Sequence, residues 1–221
     1  MRFYEAQSGS ILVDGVPLND YNIGFLKSQI GFVGQNVHLF QNRTVAENIR
    51  FGIKLDHQHD DQFDAEFFDE ERLYFWRRYK GTNERDVETA AKIANAHEFI
   101  MSLQYGYDTM IGGKRGIQLS AGEMQRIAIA RAVLMNPRIL LLDEAMSNVD
   151  PISKQLIKQS LDRIMEGRCV VVIPHRLKTV VNADRIYVVS KGNVVESGKH
   201  NELMQIENGH YAEFIRTSRF E

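Results

Sequence analysis

Apolar positions change rhythm along this chain, and each change marks a different kind of structure. In the last third, short unbroken runs alternate with helical periodicity. Ile139–Leu142, Val170–Ile173 and Ile186–Val189 are β-branched or Leu-rich without polar alternation, the pattern of strands covered on both faces. Between the first two, Ile152, Leu156, Ile157, Leu161 and Ile164 recur at helical spacing, which predicts a helix over Pro151–Met165. Asp150 suits its cap and Pro151 its first position. Strand, helix, strand in that order implies a parallel sheet with a right-handed crossover. Lys191-Gly192-Asn193 then reads as a tight turn into a strand over Val194–Ser197, followed by short helices near Asn201–Gln205 and Tyr211–Thr217.

The first part is patterned differently. Ser10–Val13 and Ile30–Val33 read as strands, the former closed by an Asp14-Gly15 turn. From Thr44 the spacing turns helical, with helices expected over Val45–Phe51, Val87–Asn95, His97–Leu103 and Ser120–Leu134. A helical subdomain is therefore expected between sheet strands, roughly over 44–137. Residues 54–86 interrupt it with an acidic stretch followed by a basic one, read as an exposed excursion. Its aromatics Phe67, Phe68, Tyr74, Phe75 and Trp76 argue for local packing or a partner contact. The cluster His57, His59, Asp60 and Asp61 lacks fixed ligand spacing and reads as solvated surface.

Composition narrows the class without choosing a function. The 221 residues are 43% hydrophobic and 25% charged, as in a globular domain with a sizeable core. A net charge of −2 gives no basic footprint for nucleic acid. No apolar run reaches the roughly 18 residues that span a bilayer, and the opening MRFYEAQSG has no signal-peptide pattern. The one cysteine, Cys169, excludes an internal disulfide and, opening the run CVVVI, is expected to be a buried structural thiol.

Chemistry concentrates between Gln118 and Pro151. The run ILLLDE ends a buried strand in two acids, at the strand end where parallel sheets hold ligands. Asp143 there can hold Mg²⁺ through water, and Glu144 can polarise an attacking water. Upstream, Ser120 followed by Glu123 forms a capping box, and the helix start it opens offers unpaired N–H groups to a phosphate. Gly122 in the first turn permits close backbone approach.

Taken together, LSAGEMQRIAIARAVLMNPRILLLDEAMSNVD resembles the signature helix, Walker B strand and D-loop of ATP-binding cassette (ABC) proteins. RFYEAQSGSILVDG resembles the segment after the phosphate loop, GFVGQ the Q-loop, and VVIPHRL the switch-histidine strand. LFQNRTVAENIRFG and GKRGIQLS are most similar to multidrug-resistance exporters of the P-glycoprotein type. The resemblance covers nearly the whole chain outside 54–86. It implies an α/β fold: a P-loop NTPase-like parallel sheet with an antiparallel β part and an inserted α-helical subdomain, incomplete at its N-terminus. Three segments follow: 1–43, the core after the phosphate loop with the Q-loop; 44–137, the helical subdomain with its insertion and signature; and 138–221, the core with Walker B, D-loop and switch histidine.

The resemblance also implies roles. Gln35 would sense Mg²⁺ and the γ-phosphate, Asp143 would bind the metal, and Glu144 and His175 would serve hydrolysis. Ser120 and Gly122 would contact ATP held by an opposing subunit, with Asp150 at that interface. ATP and Mg²⁺ are the implied cofactors. A second nucleotide-binding domain in a head-to-tail dimer and the transmembrane domains of an exporter are the implied partners, and no nucleic acid is expected. The location implied is the cytosolic face of a membrane. The sequence departs from the family pattern at Ala121 and Glu123 (usually Gly and Gln), at Pro174 (usually Ala) and at Lys114 (commonly Glu in exporters).

One part is not found. No GxxxxGK followed by Ser or Thr occurs in the 221 residues, and Gly112-Gly113-Lys114 is followed by Arg115 and lacks a preceding buried strand. The chain alone is therefore expected to be deficient in ATP binding. The alternative to an ATP-hydrolysing exporter domain is a non-hydrolysing interaction module that donates its signature helix to a partner's ATP site. A soluble cassette ATPase acting on DNA fits less well, given the exporter-like phrases and the absence of basic excess.

Overall fold

The computed structural model describes residues 4–52, 83–114, 116–146, 149–174 and 180–217. They fall into two compact units, Met1–Val171 and Val172–Glu221. The His57–Asp61 cluster and most of the insertion lie outside the described residues.

In the first unit, β3 (Ile30–Val33) and β6 (Ile139–Asp143) pair in parallel, with Ile30 opposite Ile139 and Val33 opposite Leu142. The chain enters β6 from a helix ended by Asn136, whose left-handed φ of 47° stops the helix while its N–H bonds to the Val133 carbonyl. β7 (Cys169–Ile173) is the third strand, in the order β3-β6-β7. It differs from the sequence expectation: Cys169, Val171, Val172 and Ile173 are all exposed. β7 lies at the end of that strand order, so none of the described strands pairs with its other edge. Cys169 is thus an exposed thiol at the start of the strand.

An antiparallel ribbon, β1 (Leu12–Val13) with β2 (Val16–Pro17), turns through Asp14 and Gly15, both at positive φ. A short helix, α1 (Ile23–Ser28), capped by Asn22, leads into β3. β4 (Arg43–Thr44) pairs with β5 (Met110–Ile111), closing the base of the helical part.

That part is built on α5 (Ala121–Met135). Against it pack α2 (Val45–Arg50), α3 (Glu84–Ile93), α6 (Pro151–Met165) and β3. Its Ala128, Ala130 and Ala132 are buried beside Ile127 and Ile129, so small side chains let several neighbours approach at once. Val45, Ile49, Val87, Ala90, Ala91 and Ile100 complete the core, the last from α4 (His97–Ser102). Asn48 is fully buried within it and fully paired: its amide donates to the carbonyls of Phe40 (3.1 Å) and Thr44 (3.1 Å), and its oxygen accepts from Phe40 N (2.8 Å) and Arg131 Nη2 (3.2 Å).

The second unit is a hairpin, β8 (Ile186–Ser190) with β9 (Asn193–Gly198), turning through Lys191 and Gly192 at φ 50° and 80°. Ile186 and Val188 pack on Leu203 of α7 (His200–Met204) and on Tyr211 and Ile215 of α8 (His210–Thr217). The Glu196 carboxylate accepts from the backbone N–H groups of His210 and Tyr211, capping α8. β8 alternates between buried and exposed because these helices cover only one face, and Tyr187, Val189 and Val194 are exposed.

Candidate nucleotide site

Two groups of residues come together, and one side chain links them. The first lies at the carboxyl ends of the paired strands. Gly34 and Gln35 follow β3 directly, and beside them Asp143 ends β6 and Glu144 follows it. Gln35 is exposed, while Asp143 and Glu144 are half-buried. Glu144 has a φ of 47°, a conformation that costs a non-glycine residue about 1 kcal/mol. The left-handed backbone turns the chain sharply at the point where the strand releases its second carboxylate.

The second group is formed by two helix starts. Ser120 caps α5: its Oγ accepts from Glu123 N (3.3 Å), and the Glu123 carboxylate accepts from Ser120 N (2.8 Å) and Ser120 Oγ (2.8 Å). Asp150 caps α6 through Ser153 N (2.9 Å), and that bond holds its carboxyl below the usual carboxylate range. The two starts touch through Gly122. A Cβ there would stand 2.5 Å from Ser153 Cβ, nearer still to Ser153 Oγ, and 3.2 Å from Val149 Cγ1. Gly122 is therefore required within this chain, whatever it does toward a ligand.

A turn further along, α5 and α6 are tied again. Arg126 donates to the carbonyls of Gly122 (3.3 Å) and Asn95 (2.9 Å), with its guanidinium 4.6 Å from the Phe99 ring centre. Burial lowers its pKa, while the charges of Glu123 and Asp150 oppose that shift. Asn95, left-handed at φ 51°, donates to the Leu156 carbonyl (2.9 Å) and to Ser160 Oγ (3.0 Å) on α6. The linking side chain is Gln125, whose Nε2 donates to the Gly34 carbonyl (3.2 Å) and so connects α5 to the turn that carries Gln35.

The residues present fit the cofactors that the resemblance implies, on their donor chemistry. Asp143, Glu144 and Gln35 offer only oxygen ligands and too few to enclose a cation, which suits Mg²⁺ that keeps waters and shares phosphate oxygens. Among the described residues there is no group of three or more His, Cys, Asp or Glu able to hold a metal. Gly112 and Gly113, at φ 65° and 70°, pack against Gln41 and Asn42, so this glycine pair closes a loop over the chain itself. His175 lies outside the described residues, as do Ser147, Asn148 and Arg115.

Asn95, Gln125 and Arg126 were not singled out by sequence reasoning. Gln125 and Arg126 look like the polar side of a surface helix. Only their burial, at 3% and 8% exposure, reveals their use.

A parallel sheet with acids at its carboxyl ends, beside a capped helix start, defines an α/β domain, and its likeness to a solved exporter makes the fold P-loop NTPase-like. The comparisons are more specific. The model of the ABC transporter family matches residues 1–147, and the chain belongs to that family. It is 43% identical over 210 residues to Multidrug resistance protein 1 of Entamoeba histolytica, covering 95% of this chain and 14% of that one. With ABC transporter B family member 19 of Arabidopsis thaliana it shares 45% identity over 215 residues, covering 97% and 15%. With the ATP-dependent lipid A-core flippase of Acinetobacter baylyi it shares 42% over 211 residues, covering 96% and 32%. The structure of a bacterial Atm1-family ABC exporter with ATP bound superposes with a TM-score of 0.77 at 33% identity, covering 98% of this chain and 33% of that one. The chain thus spans between about a seventh and a third of these relatives. Among the described residues no helix is long and apolar enough to cross a membrane.

Proposed function

We propose that this chain is the ATP-hydrolysing part of an ABC exporter, coupling hydrolysis to transport through transmembrane domains at the cytosolic face of a membrane. Asp143 and Gln35 hold Mg²⁺, and Glu144 polarises the attacking water, with His175 maintaining the geometry around the γ-phosphate. Ser120 and Gly122 face ATP carried by a second nucleotide-binding domain, and Asp150 lies at that head-to-tail interface. The segments 1–43, 44–137 and 138–221 serve as Q-loop core, helical subdomain and Walker B core. ATP, when bound with Mg²⁺, supplies the phosphoryl group that water attacks. Glu144 would orient that water, and Asp143 with Gln35 would hold the metal.

The observation that carries the reading is the Gln125 link between the signature helix and the Gln35 turn, beside the strand-end carboxylates. As written, the 221 residues contain no phosphate loop, so the chain alone binds ATP poorly. Sub-millimolar Mg-ATP affinity by calorimetry on this polypeptide would overturn that. Extending the chain at its N-terminus with a strand and a phosphate loop, GxxxxGK followed by Ser or Thr, should create Mg²⁺-dependent ATPase activity. Glu144→Gln should abolish it, and activity that survives this change would sink the assignment. One observation favours the second reading, a module that only completes a partner's ATP site. The signature start is built entirely from this chain's own Ser120, Glu123, Gly122 and Ser153.

A further inference from the structure

We infer that Glu123 is a specificity-determining residue of the signature, an internal anion held where an incoming phosphate must bind. The inference rests on the reading that Ser120 faces a nucleotide held by a partner. Ser120 is exposed at the start of α5, yet both of its hydrogen-bond donors are engaged. Its backbone N–H and its hydroxyl each donate to the same Glu123 carboxylate oxygen at 2.8 Å. A hydroxyl has one proton, so Ser120 cannot donate to a phosphate while it donates to Glu123.

The carboxylate also opposes the electrostatics of the helix start. Unpaired N–H groups and the helix dipole favour an anion there, and Glu123 already supplies one. Arg126 does not restore a positive field. It is buried, sits within the charges of Glu123 and Asp150, and donates to the carbonyls of Gly122 and Asn95. A nucleotide phosphate must therefore displace the Glu123 side chain from Ser120 and tolerate its charge nearby. Glutamine at this position closes the same capping box through its amide oxygen and carries no charge. Glu123 thus lowers the affinity of the signature for a highly charged phosphate without weakening the helix that presents it.

The test compares the parent chain with Glu123→Gln in two measurements. The first is ATP-dependent association with a cassette domain that carries an intact phosphate loop and a disabled catalytic carboxylate, followed by sedimentation. Glu123→Gln should associate about tenfold more tightly, and the gap should narrow at high salt as the charge is screened. The second needs no partner: tripolyphosphate is titrated while the amide resonances of Ser120, Gly122 and Glu123 are followed. Those resonances should move at about tenfold lower concentration in Glu123→Gln. Equal behaviour of the two proteins in both measurements, or weaker binding by Glu123→Gln, overturns the inference. If neither protein associates with the cassette domain but the tripolyphosphate difference is present, the inference holds and the proposed partner-site function fails.

Discussion

Substituting Gly122 by alanine separates two reasons for a glycine in the signature. If the residue serves only to let a phosphate approach the backbone, Gly122→Ala should leave the chain's stability unchanged or raise it, since alanine is favoured over glycine in a helix by up to about 1 kcal/mol. The structure gives the opposite sign. The new methyl would stand 2.5 Å from Ser153 Cβ and 3.2 Å from Val149 Cγ1, and Cβ contacts below 3.0 Å are essentially never seen. Ser153 Cβ is fixed to the α6 backbone, so rotating a side chain cannot relieve the contact, and the two helix starts must separate. Overpacking of this kind costs about 1–3 kcal/mol; a contact as short as 2.5 Å to a fixed Cβ belongs at the upper end, so after the gain in propensity a net loss approaching about 2 kcal/mol is expected. Urea denaturation of parent, Gly122→Ala, Ser153→Gly and the double variant measures it. The cost of Gly122→Ala should shrink by about 1 kcal/mol or more in the Ser153→Gly background. A Gly122→Ala protein as stable as the parent, or an additive cycle, would refute the packing argument.

Three other perturbations follow from the same geometry. Asn48→Ala strands two carbonyls, one N–H and a guanidinium contact in the core and should cost about 2–4 kcal/mol in denaturant melts. Asn95→Gly keeps the left-handed backbone but loses both donations to α6, for about 1–2 kcal/mol, and Asn95→Ala should cost more because it adds strain at positive φ. Asp150 is held below the usual carboxylate range by Ser153 N–H. Its capping contribution is therefore present above that range and lost as pH falls through the lowered folded value, and Asp150→Asn should flatten that part of an acid unfolding curve.

The extent to which the sequence was legible tracks how local each cause is. Pro151–Met165 forms as its spacing, Asp150 cap and leading proline specify, because every determinant lies within one element. The Ser120–Glu123 capping box is visible for the same reason. The short α1 and the β4–β5 pair were missed: α1 has too few turns to show a period, and β4 pairs across more than sixty intervening positions. The exposure of Cys169 and of alternate β8 residues was also hidden, since an apolar run records what a strand can bury and not which neighbours cover it. At the candidate site, resemblance pointed to Ser120, Gly122, Asp143 and Glu144. The ties through Asn95, Gln125 and Arg126 depend on three helices converging, and no window of sequence displays that.

The left-handed backbone at Glu144 has a consequence for how this position changes over generations. Glycine occupies such a conformation without strain and asparagine with little, so either replacement would relax the turn after β6 and make the fold slightly more robust. A population selected only for thermal endurance would drift at this position toward residues that carry no carboxylate. A glutamate on this backbone is held against its local preference, so the role proposed for its carboxylate comes at a cost in stability.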